Sequence, residues 1–365
     1  MKSWKWALLA LLAAGSAQAQ ETRMREHSVT VTSAVPAIAG QKVKLYLRER
    51  ALPNVLRQGA GDKIVLFVHG AGTPAEVSFD VPYRDYSWMA YLAKAGYDVF
   101  SVDMTGYGRS HRPPQMNDKC NLSSEQQKLF GVNCAQSYPG ALTNMGSDWN
   151  DISAAVDYIK KLRKVDKVNL IAWSQGGPRA GGWAAQNPAQ VNKLILLAPA
   201  YNRAAKGDKP ALPVPGPVFN VQSHEIFTTN WNRQAPCPTQ VNPAAAAAVW
   251  SEMLKSDPVG SRWSPAVRRA PIATTYGWDA ARVKAMTTPT LMIAGTHDVQ
   301  VTPQRVRDFY EDIGSPQKAY VELGCASHNA MWEKNRHILF QASLEWLEKG
   351  TVEGQTGTMQ RLGFQ

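Results

Sequence analysis

Ser174 lies in the run Lys167–Gly177, KVNLIAWSQGG, where residue types and spacing could make a hydroxyl reactive. Val168, Leu170, Ile171, Ala172 and Trp173 form a near-continuous apolar run, the pattern of a strand buried on both faces. Ser174 follows at once, and a helical segment is expected from there to about Ala185, ahead of Asn187 and Pro188. Ala172, two residues before the serine, and Gly176, two after it, are both small. A strained strand-to-helix turn requires this, because it lifts the serine above the sheet and bulky flanks would collide. The helix start then aims free N–H groups at any developing negative charge. The hydroxyl is a poor nucleophile at neutral pH, so a histidine must take its proton. A carboxylate must in turn orient that histidine.

The surrounding pattern supplies elements that could bring such groups together. Lys63–Val68, Tyr97–Val102, Val191–Leu197, Thr290–Ala294 and Ala319–Leu323 read as further buried strands. Helical spacing over Tyr86–Ala95, Asp148–Lys164, Pro303–Ile313 and Trp332–Leu347 alternates with them, the signature of a parallel sheet. His27–Ser33 and Val43–Leu47 alternate apolar and polar residues and suggest an antiparallel start. Two long excursions interrupt the pattern. Residues 111–146 are polar and rich in Pro and Asn. Residues 210–285 read as a cap, with a helix at Pro243–Lys255. The cap carries Phe219, Phe227, Trp231, Trp250, Trp263, Tyr276 and Trp278, which suit an apolar or aromatic substrate or, equally, a small core of its own. Residues 350–365 have little apolar content and are expected to form a flexible tail.

The small-x-Ser-x-Gly turn, in this setting, resembles the nucleophile elbow of the α/β-hydrolase superfamily, with Ala172 in place of the usual first glycine. The resemblance covers about 63–347 apart from the excursions. It implies a mostly parallel eight-stranded sheet flanked by helices, its core in two parts (20–209 and 286–349) with the cap inserted before the acid-bearing strand. It also implies the chain order Ser, acid, His, which Ser174, Asp298 and His328 fit, each just past an expected strand. Only His328, of seven histidines, follows the final core strand in a small-residue loop. The segment Leu196–Tyr201 offers no carboxylate, and Glu322 falls inside a strand, so Asp298 is the expected acid. Two backbone donors are expected for an oxyanion, the N–H of Gln175 and that of Ala71, with His69 and Gly70 shaping the loop. Asp103-x-x-Gly106-x-Gly108-x-Ser110 also matches the superfamily pattern and reads as a structural turn.

Met1–Ala19 reads as an export signal: Lys2 and Lys5, an apolar Trp6–Ala14, and Ala17-Gln18-Ala19 as the cleavage site. The apolar run is too short to span a bilayer, so no stable membrane insertion is expected. Four cysteines allow three pairings. The favoured reading pairs Cys120 with Cys134, a short local loop, and leaves Cys237 with Cys325. A net charge of +11 is spread without a basic run interleaved with aromatics, which argues against a nucleic-acid partner. The expected activity is a periplasmic or secreted serine hydrolase cleaving a small-molecule carboxylic ester through an acyl-enzyme, with no cofactor or metal. The same three side chains could serve an amidase, a lactonase, a carbon–carbon hydrolase or an acyltransferase. A non-catalytic binding protein on this scaffold is the remaining alternative. Composition says nothing of substrate identity or oligomeric state.

Overall fold

The structure, a computed structural model, describes residues 21–364. The expected export signal lies outside the described residues. A sheet of nine strands organises the chain: β1 (Arg23–Thr32), β2 (Lys42–Ala51), β3 (Ile64–Val68), β4 (Asp98–Val102), β5 (Val168–Trp173), β6 (Val191–Leu197), β7 (Thr290–Gly295), β8 (Lys318–Leu323) and β9 (Met359–Leu362). Their order across the sheet is β1-β2-β4-β3-β5-β6-β7-β8-β9. β2 pairs antiparallel with β1 and β4, and every other pairing in the sheet is parallel. The near-continuous apolar runs are explained by burial: every residue of β3, β4, β5 and β7 is buried. Helices cover the sheet, as right-handed crossovers between parallel strands require. They include α1 (Trp88–Lys94), α2 (Met145–Arg163), α5 (Pro303–Asp312) and α6 (Arg336–Lys349). α2 begins three residues earlier than expected because Asn144 and Ser147 form a reciprocal capping box.

The sheet has one strand more than the sequence suggested, and the extra strand comes from the supposed tail. Gly350, at φ 70°, ends α6, and the chain returns to pair Met359–Leu362 with Tyr320–Leu323 of β8. This satisfies backbone groups that would otherwise line an open edge. β9 is itself an edge strand, and of its four residues Gln360 alone is buried. Glu322 on β8 pairs with Arg307 at 2.6 Å and Arg361 at 3.8 Å.

The two excursions are built on each other. Thr143–Asn144 pairs parallel with Ala273–Thr274, and Val218 N–H donates to Asn121 O. The Gln126 amide satisfies both the N–H and the C=O of Val221. Segment 210–285 contributes a two-stranded antiparallel ribbon, Phe219–Ser223 with Val267–Pro271, and helices α3 (His224–Asn232) and α4 (Pro243–Lys255). Disulfides join Cys120 to Cys134 and Cys237 to Cys325; the second ties this segment to the loop after β8.

Truncation after Gly350 removes β9 and the buried Val352 side chain, which is 1% exposed. We expect a loss of about 2–4 kcal/mol, the burial of one or two apolar side chains with their strand pairing. Urea unfolding checks this, and an unchanged midpoint would contradict the role given to the ninth strand.

Candidate active site

Ser174 occupies the turn between β5 and the following helical segment at φ 59°, in the left-handed region. Its N–H donates to Leu197 O at 2.9 Å, and its carbonyl accepts from Gly177 N–H at 2.9 Å and Ala200 N–H at 2.8 Å. The space around it is closed. A Cβ on Gly70 would lie 2.7 Å from Ser174 Cβ, and one on Gly176 would lie 2.9 Å from Ala172 Cβ. Position 172 tolerates a methyl because position 176 has none.

β7 and β8 end beside this turn and deliver the other two expected residues to it. His328 Nε2 lies 2.9 Å from Ser174 Oγ, and His328 Nδ1 lies 2.7 Å from Asp298 Oδ2. The other Asp298 oxygen accepts from the backbone N–H groups of Gln300 and Val301, both at 2.8 Å. Asp298 and His328 are 2% and 4% exposed. A carboxylate on Nδ1 holds the proton there and leaves the Nε2 lone pair facing the serine hydroxyl. Trp173 Nε1 donates to His328 O at 2.8 Å, fixing the loop from β5.

Ala71 lines the cavity above Ser174. What orients its peptide is a buried network that the sequence reading did not anticipate. Arg179, wholly buried, donates through Nη1 to the carbonyls of His69 at 3.1 Å and Gly70 at 2.8 Å, and through Nε to Asp148 at 2.7 Å. His69 Nδ1 lies 2.7 Å from the same Gly70 carbonyl, while its Nε2 accepts from Met104 N–H at 3.1 Å. In a trans peptide the C=O and N–H point opposite ways. With the Gly70 oxygen held back by two donors, the Ala71 N–H is turned the other way. Burial, aided by the Arg179 charge, holds the His69 imidazole well below its ordinary pKa and so neutral. The only sequence signal for Arg179 is a charge inside the small-residue run Gly176–Gly182.

Glu333 was likewise missed, since in the sequence it reads as one more acid in the first turn of the helix expected over Trp332–Leu347. It is fully buried and accepts from Ser327 N–H at 2.7 Å, the Ser327 hydroxyl, Trp231 Nε1 at 2.8 Å and Gln240 Nε2 at 3.1 Å. It therefore clasps segment 210–285 to the residue preceding His328. Of the seven aromatics that suit either an apolar substrate or a small core of the segment's own, Phe227 and Trp231 line the cavity. Phe219 packs on Trp263, and Trp278 on Phe309. Among the described residues, the group close enough to share a metal ion is Cys237, His297 and Cys325, and both of its sulfurs are in the disulfide.

A family model described as the alpha/beta hydrolase fold matches residues 63–335. The chain belongs to that family. It is 30% identical over 152 residues to a probable lipase of Schizosaccharomyces pombe, covering 40% of this chain and 29% of the lipase. It is 24% identical over 147 residues to the probable lysophospholipase BODYGUARD 2 of Arabidopsis thaliana, covering 40% of this chain and 25% of that protein. The matches thus span less than a third of the length of these curated relatives. Among solved structures, an esterase of Thermogutta terrifontis aligns at TM-score 0.52 and 17% identity, covering 89% of this chain and 99% of its own. A serine hydrolase of Cycloclasticus zankles aligns at 0.53 and 12% identity, covering 89% and 98%. These structural likenesses show the fold alone, an alpha/beta hydrolase sheet with its loops gathered above the strand ends.

Two outcomes follow from the buried groups. Glu333→Ala leaves four buried donors without their acceptor, and we expect a loss of about 3 kcal/mol, read from urea unfolding. For His69, the folded pKa is depressed, so its stabilising contribution is present above the unfolded value and lost as pH falls. Below about pH 6.5 the unfolded chain takes up a proton that the folded chain refuses, costing up to about 1.4 kcal/mol per pH unit. His69→Gln should flatten the stability difference between pH 7 and pH 5 relative to the parent. Identical slopes in the two proteins would count against a neutral His69.

Proposed function

We propose that this alpha/beta hydrolase is an exported serine hydrolase that cleaves carboxylic esters. Ser174 attacks the ester carbonyl. His328 takes the serine proton at Nε2 and passes it to the leaving alcohol. Asp298 holds the ring and stabilises its charged form. Water then attacks the acyl-enzyme, with His328 again as base, and the acid is released. The N–H groups of Gln175 and Ala71 receive the negative charge that develops on the carbonyl oxygen.

The observation that carries this reading is the unbroken chain of contacts from Ser174 Oγ through the imidazole to Asp298, at 2.9 and 2.7 Å. An ester as the bond cleaved is supported by the relatives described as a probable lipase and a probable lysophospholipase. Export is supported by the leader-like Met1–Ala19 and by two disulfides, which persist in oxidising compartments. Among the described residues, no helix is long and apolar enough to cross a membrane.

A fluorophosphonate probe should label the purified protein at Ser174. In a panel of p-nitrophenyl esters varied in acyl length, Ser174→Ala should lose on the order of 10⁴–10⁶-fold in kcat, as removal of a nucleophile acting within a unit does. Near-normal turnover in that variant, or labelling elsewhere, would refute the assignment.

A further inference from the structure

The cavity over Ser174 contains a cation with no counter-charge. Arg268 lines it, and Nη2 of that residue lies only 2.4 Å from where a Cβ on Gly72 would stand. The guanidinium therefore rests on the loop that carries Ala71. Arg268 and Arg269 are neighbours on the strand Val267–Pro271, and strand alternation sends them to opposite faces. Arg269 turns into a buried pair with Asp257 at 2.7 Å. Arg268 turns toward its cross-strand partner Gln222. Its contacts are neutral: Nε and Nη2 donate to Gln222 Oε1 at 3.2 and 3.1 Å, and Nη1 donates to Asn220 Oδ1 at 3.2 Å.

Among the described residues no carboxylate lies within ion-pair distance of Arg268. The acid whose field reaches it, Asp257, is already held by Arg269 and has Arg112 at 3.9 Å. Burial without a partner pushes the Arg268 pKa down to about 10. The side chain is half-buried and lines the cavity, so its charge is placed where an anion entering over Ser174 would meet it.

The chemistry of that anion follows from the donors left over. A guanidinium has five N–H groups. The two amide oxygens occupy three of them, leaving one each on Nη1 and Nη2. Donors on both terminal nitrogens can serve the two oxygens of one carboxylate. A single cation balances a single negative charge. Besides Ser174 and His328, the other polar lining groups, Thr73, Gln222, Asn230, Gln300 and Asn329, carry no ionisable side chain. At about 110 Å³ the cavity is smaller than the ~300–1,000 Å³ of sites for drug-sized ligands, which favours a short molecule.

We propose that the ester cleaved at Ser174 carries a free carboxylate bound by Nη1 and Nη2 of Arg268, as in a half-ester of a short dicarboxylic acid. This rests on the ester-hydrolase reading of Ser174. Binding the remote carboxylate orients the scissile carbonyl over the serine, and it discriminates against neutral esters of the same length.

The test compares monomethyl glutarate with dimethyl glutarate. Hydrolysis is followed by proton NMR in the parent, Arg268→Gln and Arg268→Lys, each checked for an unchanged unfolding midpoint. The parent should favour the half-ester by tenfold or more in kcat/KM. Arg268→Gln should lose at least tenfold more on the half-ester than on the dimethyl ester, mainly through KM, and Arg268→Lys should restore part of the difference. Binding of both compounds to Ser174→Ala, with and without Arg268→Gln, is measured by calorimetry. It reads the anion site even if Ser174 proves not to be the nucleophile. There the half-ester should bind at least tenfold more tightly than the dimethyl ester, and only when Arg268 is present. Equal affinities for the two compounds would overturn the proposal. So would an Arg268→Gln defect of equal size on both esters, which would place the guanidinium's effect on the carbonyl oxygen or the fold instead.

Discussion

The site depends on holding one serine in a backbone conformation it does not prefer. At φ 59° the Ser174 side chain crowds its own backbone, a cost of about 1–2 kcal/mol for a residue with a Cβ. The cost is borne because the surroundings over-determine the turn. Its backbone hydrogen bonds run to β6 and to the loop after it, and glycines stand where any Cβ would strike the turn. β5 in turn is buried along its whole length, so the turn has no soft neighbour into which it could relax. The hydroxyl is thereby presented above the sheet at a fixed place, and every other group in the site is positioned relative to it.

The partners of the serine arrive on loops, and loops need anchors. Asp298 is fixed by two backbone N–H groups from its own turn. His328 is fixed from three directions: Asp298 on its ring, Trp173 on its carbonyl, and Ser327 through Glu333. Two of the groups bound to Glu333, Trp231 and Gln240, belong to segment 210–285, and the Cys237–Cys325 disulfide runs between the same two parts. The inserted segment therefore does more than wall the cavity. It is bonded to the loop that carries the imidazole, so a shift in one is transmitted to the other.

The sheet and the serine were legible because both are written locally. A strand buried on both faces must be apolar throughout, and a sharp turn must be flanked by small residues. Asp298 and His328 could be singled out because each falls just past such a strand. What escaped notice was decided by tertiary contact. β9 looks like a tail because an edge strand buries little side-chain surface, and its partner β8 is reached only through α6. The pairing between the excursions rests on two residues from each, too few to leave a periodic trace. Arg179 and Glu333 are charged side chains, and sequence pattern sends charges to the surface. Their enclosure follows from which element covers them. The aromatic content of segment 210–285 suited either an apolar substrate or a small core of its own; most of those rings pack on one another, and the cavity wall is largely polar.

The buried Arg179–Asp148 pair illustrates why such a charge is retained. A buried ion pair of this kind seldom adds net stability, because the desolvation of both groups offsets their attraction. Apolar side chains of the same volume would fill the space at no worse a cost. They could not, however, hold the carbonyls of both His69 and Gly70 at fixed angles while stacking against the Tyr107 ring, 5.2 Å away. A guanidinium can, because its donors are fixed in a plane. The carboxylate of Asp148 then serves chiefly to keep that plane still. The pair is best understood as setting the direction of one peptide group, between residues 70 and 71, on the rim where charge would develop.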